Sequence, residues 1–182
     1  MTTSGAALPE AALAQAVAAS GLDAMFDHAA MAARRIRDLL PLYRDLLGGT
    51  FYLGGDNARV GYRAVQLSYR DGGKVELMEP LAGSTFFDSF FRRNPHGGVH
   101  HVTFTVASMA VALAELRDRG FTVHAESHAD PSWHEVFLHP RNAAGTLVQI
   151  AQPGPGLGRI TDFGLDEVLA GHGNNGTGVP SP

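Results

Sequence analysis

Two histidines, a glutamate and a glutamine stand in this chain at spacings that suit a metal site. Gln149 follows Glu76 at the same interval by which His101 follows His28, so each histidine precedes its partner by an equal stretch of chain. Imidazole nitrogens, a carboxylate and an amide oxygen are ligands for a divalent transition metal such as Co, Mn, Ni, Zn or Fe. The set would occupy four places of an octahedron and leave two for water or substrate. A single histidine in a strand is more often a hydrogen-bonded structural residue. Four potential ligands at two equal offsets are hard to obtain from packing alone.

The same step runs through the chain around these residues. Val75-Glu76-Leu77-Met78-Glu79-Pro80 is nearly repeated by Val148-Gln149-Ile150-Ala151-Gln152-Pro153, and Arg44-Asp45 by Arg117-Asp118. A repeat in one register is the mark of a duplicated unit. In the second copy, Val102, Phe104 and Val106 alternate with His101, Thr103 and Thr105, which predicts a strand with one apolar face. Met109 to Arg119 has helical spacing and stops at Gly120, and strands follow around 121–123, 135–138 and 146–151. The first copy gives a strand at 26–31, a helix over about 35–47 ending at Gly48-Gly49, and strands near Phe51, at 62–68 and at 75–78. Each unit is βαβββ, and one alone is too small to close a core. Two in tandem predict an α+β fold in which a curved mixed sheet surrounds a central metal site.

The period of two also assigns faces. Val75, Leu77, Val148 and Ile150 belong under the helices, which turns Glu76 and Gln149 to the concave side. By the same alternation His101 faces inward, and His100 shares the face of Val102 and Phe104, as a structural residue or a donor to a neighbour. His124, His128, His134 and His139 read as surface or loop residues that could border a substrate pocket. The segment between the units holds Phe86, Phe87, Phe90 and Phe91 beside Asp88, Arg92 and Arg93, predicting a short amphipathic helix capped by Ser84 whose aromatic face is buried or forms a dimer contact.

The chain has 182 residues, 45% hydrophobic and 18% charged, enough for one compact domain. We divide it into an Ala-rich appendage at 1–22, with a short helix over Leu8 to Ala19, a domain at 23–153 with modules 26–80 and 99–153, and a flexible tail at 154–182 in which Ile160 to Leu169 can pack. A net charge of −4 without a basic run argues against nucleic acid. No apolar stretch is long enough for a membrane span, and the N-terminus has no secretory pattern, so a cytoplasmic location is expected. Without cysteine, a metal must be held by nitrogen and oxygen.

With these residues in order, the chain resembles the vicinal oxygen chelate superfamily of glyoxalases, extradiol dioxygenases and methylmalonyl-CoA epimerases, and most of all the epimerases. The carrying segments are Phe26-Asp27-His28-Ala29, Leu42 to Gly48, Lys74 to Leu81, Gly98-Val99-His100-His101-Val102, and Phe137-Leu138-His139-Pro140 through Gly145 to Gln149. The resemblance implies paired βαβββ modules, a divalent metal on His28, Glu76, His101 and Gln149, stabilisation of an enolate-like oxyanion, a small-molecule substrate such as an acyl-CoA, and a homodimer. It also exposes a departure. Epimerases place a glutamate in the second module's last strand and a further acid at a position that falls near Asn57, and here both are amides. Glu76 is then the expected catalytic base. The expected function is a metal-dependent isomerase or lyase. A non-haem Fe(II) dioxygenase and a non-catalytic ligand-binding protein remain the alternatives.

Overall fold

A computed structural model of the protein describes residues 21–130, 132–155 and 163–172. The helix expected over Leu8 to Ala19 lies outside them. Eight strands form one sheet: β1 (Met25–Ala32), β2 (Thr50–Asn57), β3 (Tyr62–Ser68), β4 (Lys74–Pro80), β5 (Gly98–Thr105), β6 (Val123–Asp130), β7 (Trp133–Leu138) and β8 (Leu147–Pro153). Their order is β2-β3-β4-β1-β5-β8-β7-β6, so the two halves mirror one another about the β1–β5 pair. β1 runs parallel to β4 and β5 parallel to β8, while β1 and β5 are antiparallel. This is the curved mixed sheet that the duplication predicts, with the histidine strand of each module at its middle.

The outer face carries the helices. In module two, α2 (Met109–Asp118) starts at Ser108, whose Oγ accepts the Val111 N–H at 3.4 Å. It stops before Gly120, whose φ of +78° suits a residue without Cβ. Its Met109, Ala112 and Leu116 pack with Val136, Leu138 and Ile150. Module one departs from the expected single helix over 35–47. Its chain forms a 3₁₀ turn at Ile36–Asp38 and a π-helix at Pro41–Leu46, because Pro41 has no N–H and its ring crowds the carbonyl four residues back. Ile36 and Leu40 still reach the outer core with Val65, Leu67 and Leu77.

Val168 and Leu169 of the terminal helix α3 (Leu165–Leu169) close that cluster, so part of the predicted packing segment is a fixed element. Arg63 holds it in place: its guanidinium meets Asp56 at 2.6 and 2.9 Å, Glu79 at 3.2 Å and the Leu169 carbonyl at 3.2 Å.

The linker helix α1 (Asp88–Arg93) lies against the opposite face, where Phe87, Phe90 and Phe91 pack on Ala30, Ala32, Ala64 and Met78. Three of the four phenylalanines are therefore core, while Phe86 is 40% exposed. Ser84 does not cap this helix. It closes the preceding turn, where its Oγ accepts the Phe86 N–H at 3.2 Å, and the helix begins at Phe87 without a side-chain cap.

Candidate metal centre

The centre of the concave face is built by alternation along neighbouring strands and by register between them. His28 and Ala30 on β1 stand opposite Thr103 and His101 on β5, so all four point to one side. Glu76 comes from β4 and Gln149 from β8, the strands flanking that pair. The aliphatic neighbours of Glu76 and Gln149 on their own strands take the outer face, as expected: Val75 and Leu77 in one module, Val148 and Ile150 in the other.

His28 and His101 are 2% and 4% exposed. Their Nε2 atoms lie 3.8 and 3.7 Å from the same Glu76 oxygen, and ligand atoms of the three residues all fall within 4.8 Å of one another. His101 Nε2 is buried and has no hydrogen-bond partner. Burial holds the His101 imidazole well below its usual pKa, helped by His100 and His28 alongside, so the ring is neutral. Two imidazoles and a carboxylate converge here on one small space, and this donor set fits a divalent cation.

Gln149 is more engaged than an open ligand. Its Oε1 accepts the Thr103 hydroxyl at 2.6 Å, and the same Thr103 oxygen lies 3.0 Å from His28 Nε2. Its Nε2 donates to Glu135 Oε2 at 2.5 Å, an oxygen that also accepts from Trp133 Nε1 at 3.1 Å.

Glu135 is the residue that the repeat did not reveal. One step relates β1 to β5 and β4 to β8, but pairing matches Glu135 with Ala151 and Ala64 with Met78, so the step from β3 to β7 falls short of it by two positions. A search at the common step meets Tyr62 instead. The signal was present in the alternation of β7, where Val136 and Leu138 are buried in the outer core and Glu135 and Phe137 take the other face. Burial raises the pKa of Glu135, opposed by the hydrogen bonds from Gln149 and Trp133 and assisted by the negative charge of Glu76.

His100 differs from the sequence reading. Pairing between β1 and β5 skips it, since Ala30 opposes His101 and Met31 opposes Val99. This β-bulge breaks the alternation and brings His100 Nδ1 to 3.0 Å from His101 Nδ1. Phe86, Phe87 and Phe90 surround the ring, and burial lowers its pKa to about 4. Asn57 closes the β2–β3 turn instead of serving as an acid. Its Oδ1 accepts the Val60 N–H at 3.1 Å and its Nδ2 donates to the Tyr62 hydroxyl at 3.3 Å. The His124 and His139 rings lie 5.4 Å apart, tilted by 59°, and His134 meets Glu126 at 3.3 Å, on residues that do not join the central cluster.

Residues 27–137 match the family described as the Glyoxalase/Bleomycin resistance protein/Dioxygenase superfamily. The chain belongs to this family. Among its relatives, the mitochondrial methylmalonyl-CoA epimerase of Bos taurus is 27% identical over 133 residues, covering 69% of this chain and 73% of the relative. The ethylmalonyl-CoA/methylmalonyl-CoA epimerase of Cereibacter sphaeroides is 27% identical over 129 residues, covering 69% and 96%. A solved structure of Streptomyces coelicolor methylmalonyl-CoA epimerase with 2-nitronate-propionyl-CoA superposes with a TM-score of 0.60 at 25% identity, covering 70% of this chain and 96% of that one. The Mycobacterium tuberculosis methylmalonyl-CoA epimerase shares the fold with a TM-score of 0.64 at 23% identity, covering 72% and 89%. No helix among the described residues is long and apolar enough to cross a membrane.

Proposed function

We propose that this protein is a divalent-metal-dependent isomerase or lyase that ionises the C–H beside a carbonyl, with an acyl-CoA as its substrate class. The observation that carries this reading is the convergence of His28 Nε2, His101 Nε2 and the Glu76 carboxylate, one of the imidazole nitrogens being buried without a partner. Similarity to epimerases acting on malonyl-type acyl-CoA esters supports the substrate class.

His28, His101 and Glu76 would hold the ion, with the Gln149 amide oxygen beside them. A bound divalent cation would polarise the substrate carbonyl and stabilise the negative charge that develops on it. The protein's own part is to move the proton. An epimerisation needs one acid–base group on each side of the reacting carbon, and the sheet offers two carboxylates from opposite halves, Glu76 on β4 and Glu135 on β7. Gln149 has no useful basicity, but Glu135 accepts a hydrogen bond from it, and burial raises the Glu135 pKa above the ordinary carboxylate value.

The test is solvent deuterium incorporation at the α-carbon of methylmalonyl-CoA, followed by NMR, with protein of measured metal content. Absence of exchange with the metal-loaded protein would reject this substrate class. One observation favours a second reading: the cluster is two histidines and one carboxylate, while both ends of Gln149 are spent on hydrogen bonds. That is the facial set of non-haem Fe(II) dioxygenases. Iron in the purified protein, with oxygen consumption in the presence of a catechol, would put that reading first. Binding of acyl-CoA without metal or turnover would leave a ligand-binding member of the family.

A further inference from the structure

Pairing between the two central strands is interrupted twice. β1 residues Phe26 and His28 oppose Phe104 and Thr103, so Asp27 is passed over; β5 residues His101 and Val99 oppose Ala30 and Met31, so His100 is passed over. Asp27 and His100 hold the same place in the two modules, each immediately before a candidate ligand. In such a bulge two consecutive residues face one partner, which lets the extra side chain turn toward its neighbour instead of to the opposite face.

Both do so. Asp27 Oδ2 lies 2.7 Å from His28 Nδ1 and His100 Nδ1 lies 3.0 Å from His101 Nδ1. We propose that these twin bulges make Asp27 and His100 positioning residues, each accepting the Nδ1–H of the following histidine and thereby leaving its Nε2 without a hydrogen and turned toward Glu76. The inference rests on the reading of His28, Glu76 and His101 as a metal site, but its geometry can be tested without metal.

For His28 the assignment follows from chemistry alone. A carboxylate can only accept, so the Nδ1–H is supplied by His28. In that tautomer Nε2 can only accept from the Thr103 hydroxyl 3.0 Å away, a bond that competes with the one Thr103 makes to Gln149. Asp27 also takes Lys74 Nζ at 2.7 Å, which fixes its carboxylate from the other side. For His101 the partner is another imidazole, and the hydrogen could run either way. If His100 donated, His101 would carry its proton on Nε2, buried and 3.7 Å from the nearest Glu76 oxygen, too far for a hydrogen bond. With the proton on Nδ1, the hydrogen bond to His100 is made and the Nε2 lone pair is left for a cation. His100 is suited to accept, because the rings of Phe86, Phe87 and Phe90 around it offer its Nδ1 no competing partner. The two modules therefore orient equivalent ligands with unlike groups, an anion behind His28 and a neutral ring behind His101.

Long-range ¹H–¹⁵N spectra of the full chain, metal-free and at pH 8, read the tautomers directly, and Zn²⁺ titration calorimetry reads the consequence. Both His28 and His101 are expected as Nδ1–H tautomers. Asp27→Leu and His100→Phe, which remove the acceptor, each shift the tautomer of the adjacent histidine and weaken Zn²⁺ binding by about 10–100-fold. His100→Gln, whose amide oxygen still accepts, restores most of the affinity. An Nε2–H tautomer of His101 in the unsubstituted protein overturns the proposal, as do variants with unchanged tautomers and affinity. Nδ1–H tautomers that respond to both substitutions, in a protein that takes up no Zn²⁺, would uphold the positioning role and reject the metal reading alone.

Discussion

Gln149 donates its amide N–H to Glu135 at 2.5 Å, from the strand where the related epimerases lead one to expect a carboxylate to the strand beside it. The mirror position in module one is Ala64, so this acid has no counterpart there. If Glu135 moves the substrate proton, Glu135→Gln keeps the shape and the hydrogen bond from Gln149 but lowers α-deuterium incorporation by about 100-fold or more. Metal content stays the same. An undiminished exchange rate would remove Glu135 from the reaction.

The same residue costs stability. Its folded pKa is raised above the unfolded value, so the folded state binds the proton more tightly, and stability falls as pH rises from the unfolded value through the folded one. Glu135→Gln removes that penalty. In chelator-treated protein the variant is expected to melt higher than the parent at pH 7, with the difference vanishing below about pH 4.5. Thermal melts across this range check it, and parallel curves for the two proteins would count against a perturbed Glu135.

His28→Ala and His101→Ala are each expected to abolish stoichiometric metal retention, measured by elemental mass spectrometry after dialysis. Each variant withdraws one of the three groups that converge within 4.8 Å. Glu76→Gln weakens retention further than it weakens folding, because the amide has no charge to offer a cation. Metal at one equivalent in either histidine variant would place the ion elsewhere.

Arg63 ties three segments together: the β2–β3 hairpin through Asp56, β4 through Glu79, and α3 through the Leu169 carbonyl. Glu79 in turn accepts the Ile36 N–H at 2.7 Å. Arg63→Met leaves two partly buried carboxylates without their cation and its hydrogen bonds, a change that costs about 1–3 kcal/mol. Faster hydrogen exchange at Leu165–Leu169 should accompany the lower melting temperature. Unchanged exchange there would mean that Val168 and Leu169 hold the helix by apolar packing alone.

The duplication, the βαβββ order, the faces of Glu76 and Gln149, and the convergence of His28, Glu76 and His101 are all legible in the chain alone. They follow from the strand period of two and from the long repeat that carries His28 onto His101, patterns that need no knowledge of how strands pair. What depends on pairing needed the folded sheet. The bulges that turn Asp27 and His100 inward exist between strands and leave no mark in one strand's alternation. Glu135 stayed hidden because the slip between β3 and β7 takes it off the repeat. The burial of the linker phenylalanines against Ala30, Ala32, Ala64 and Met78 was equally open, since an apolar helix face states that it needs a partner and not which one.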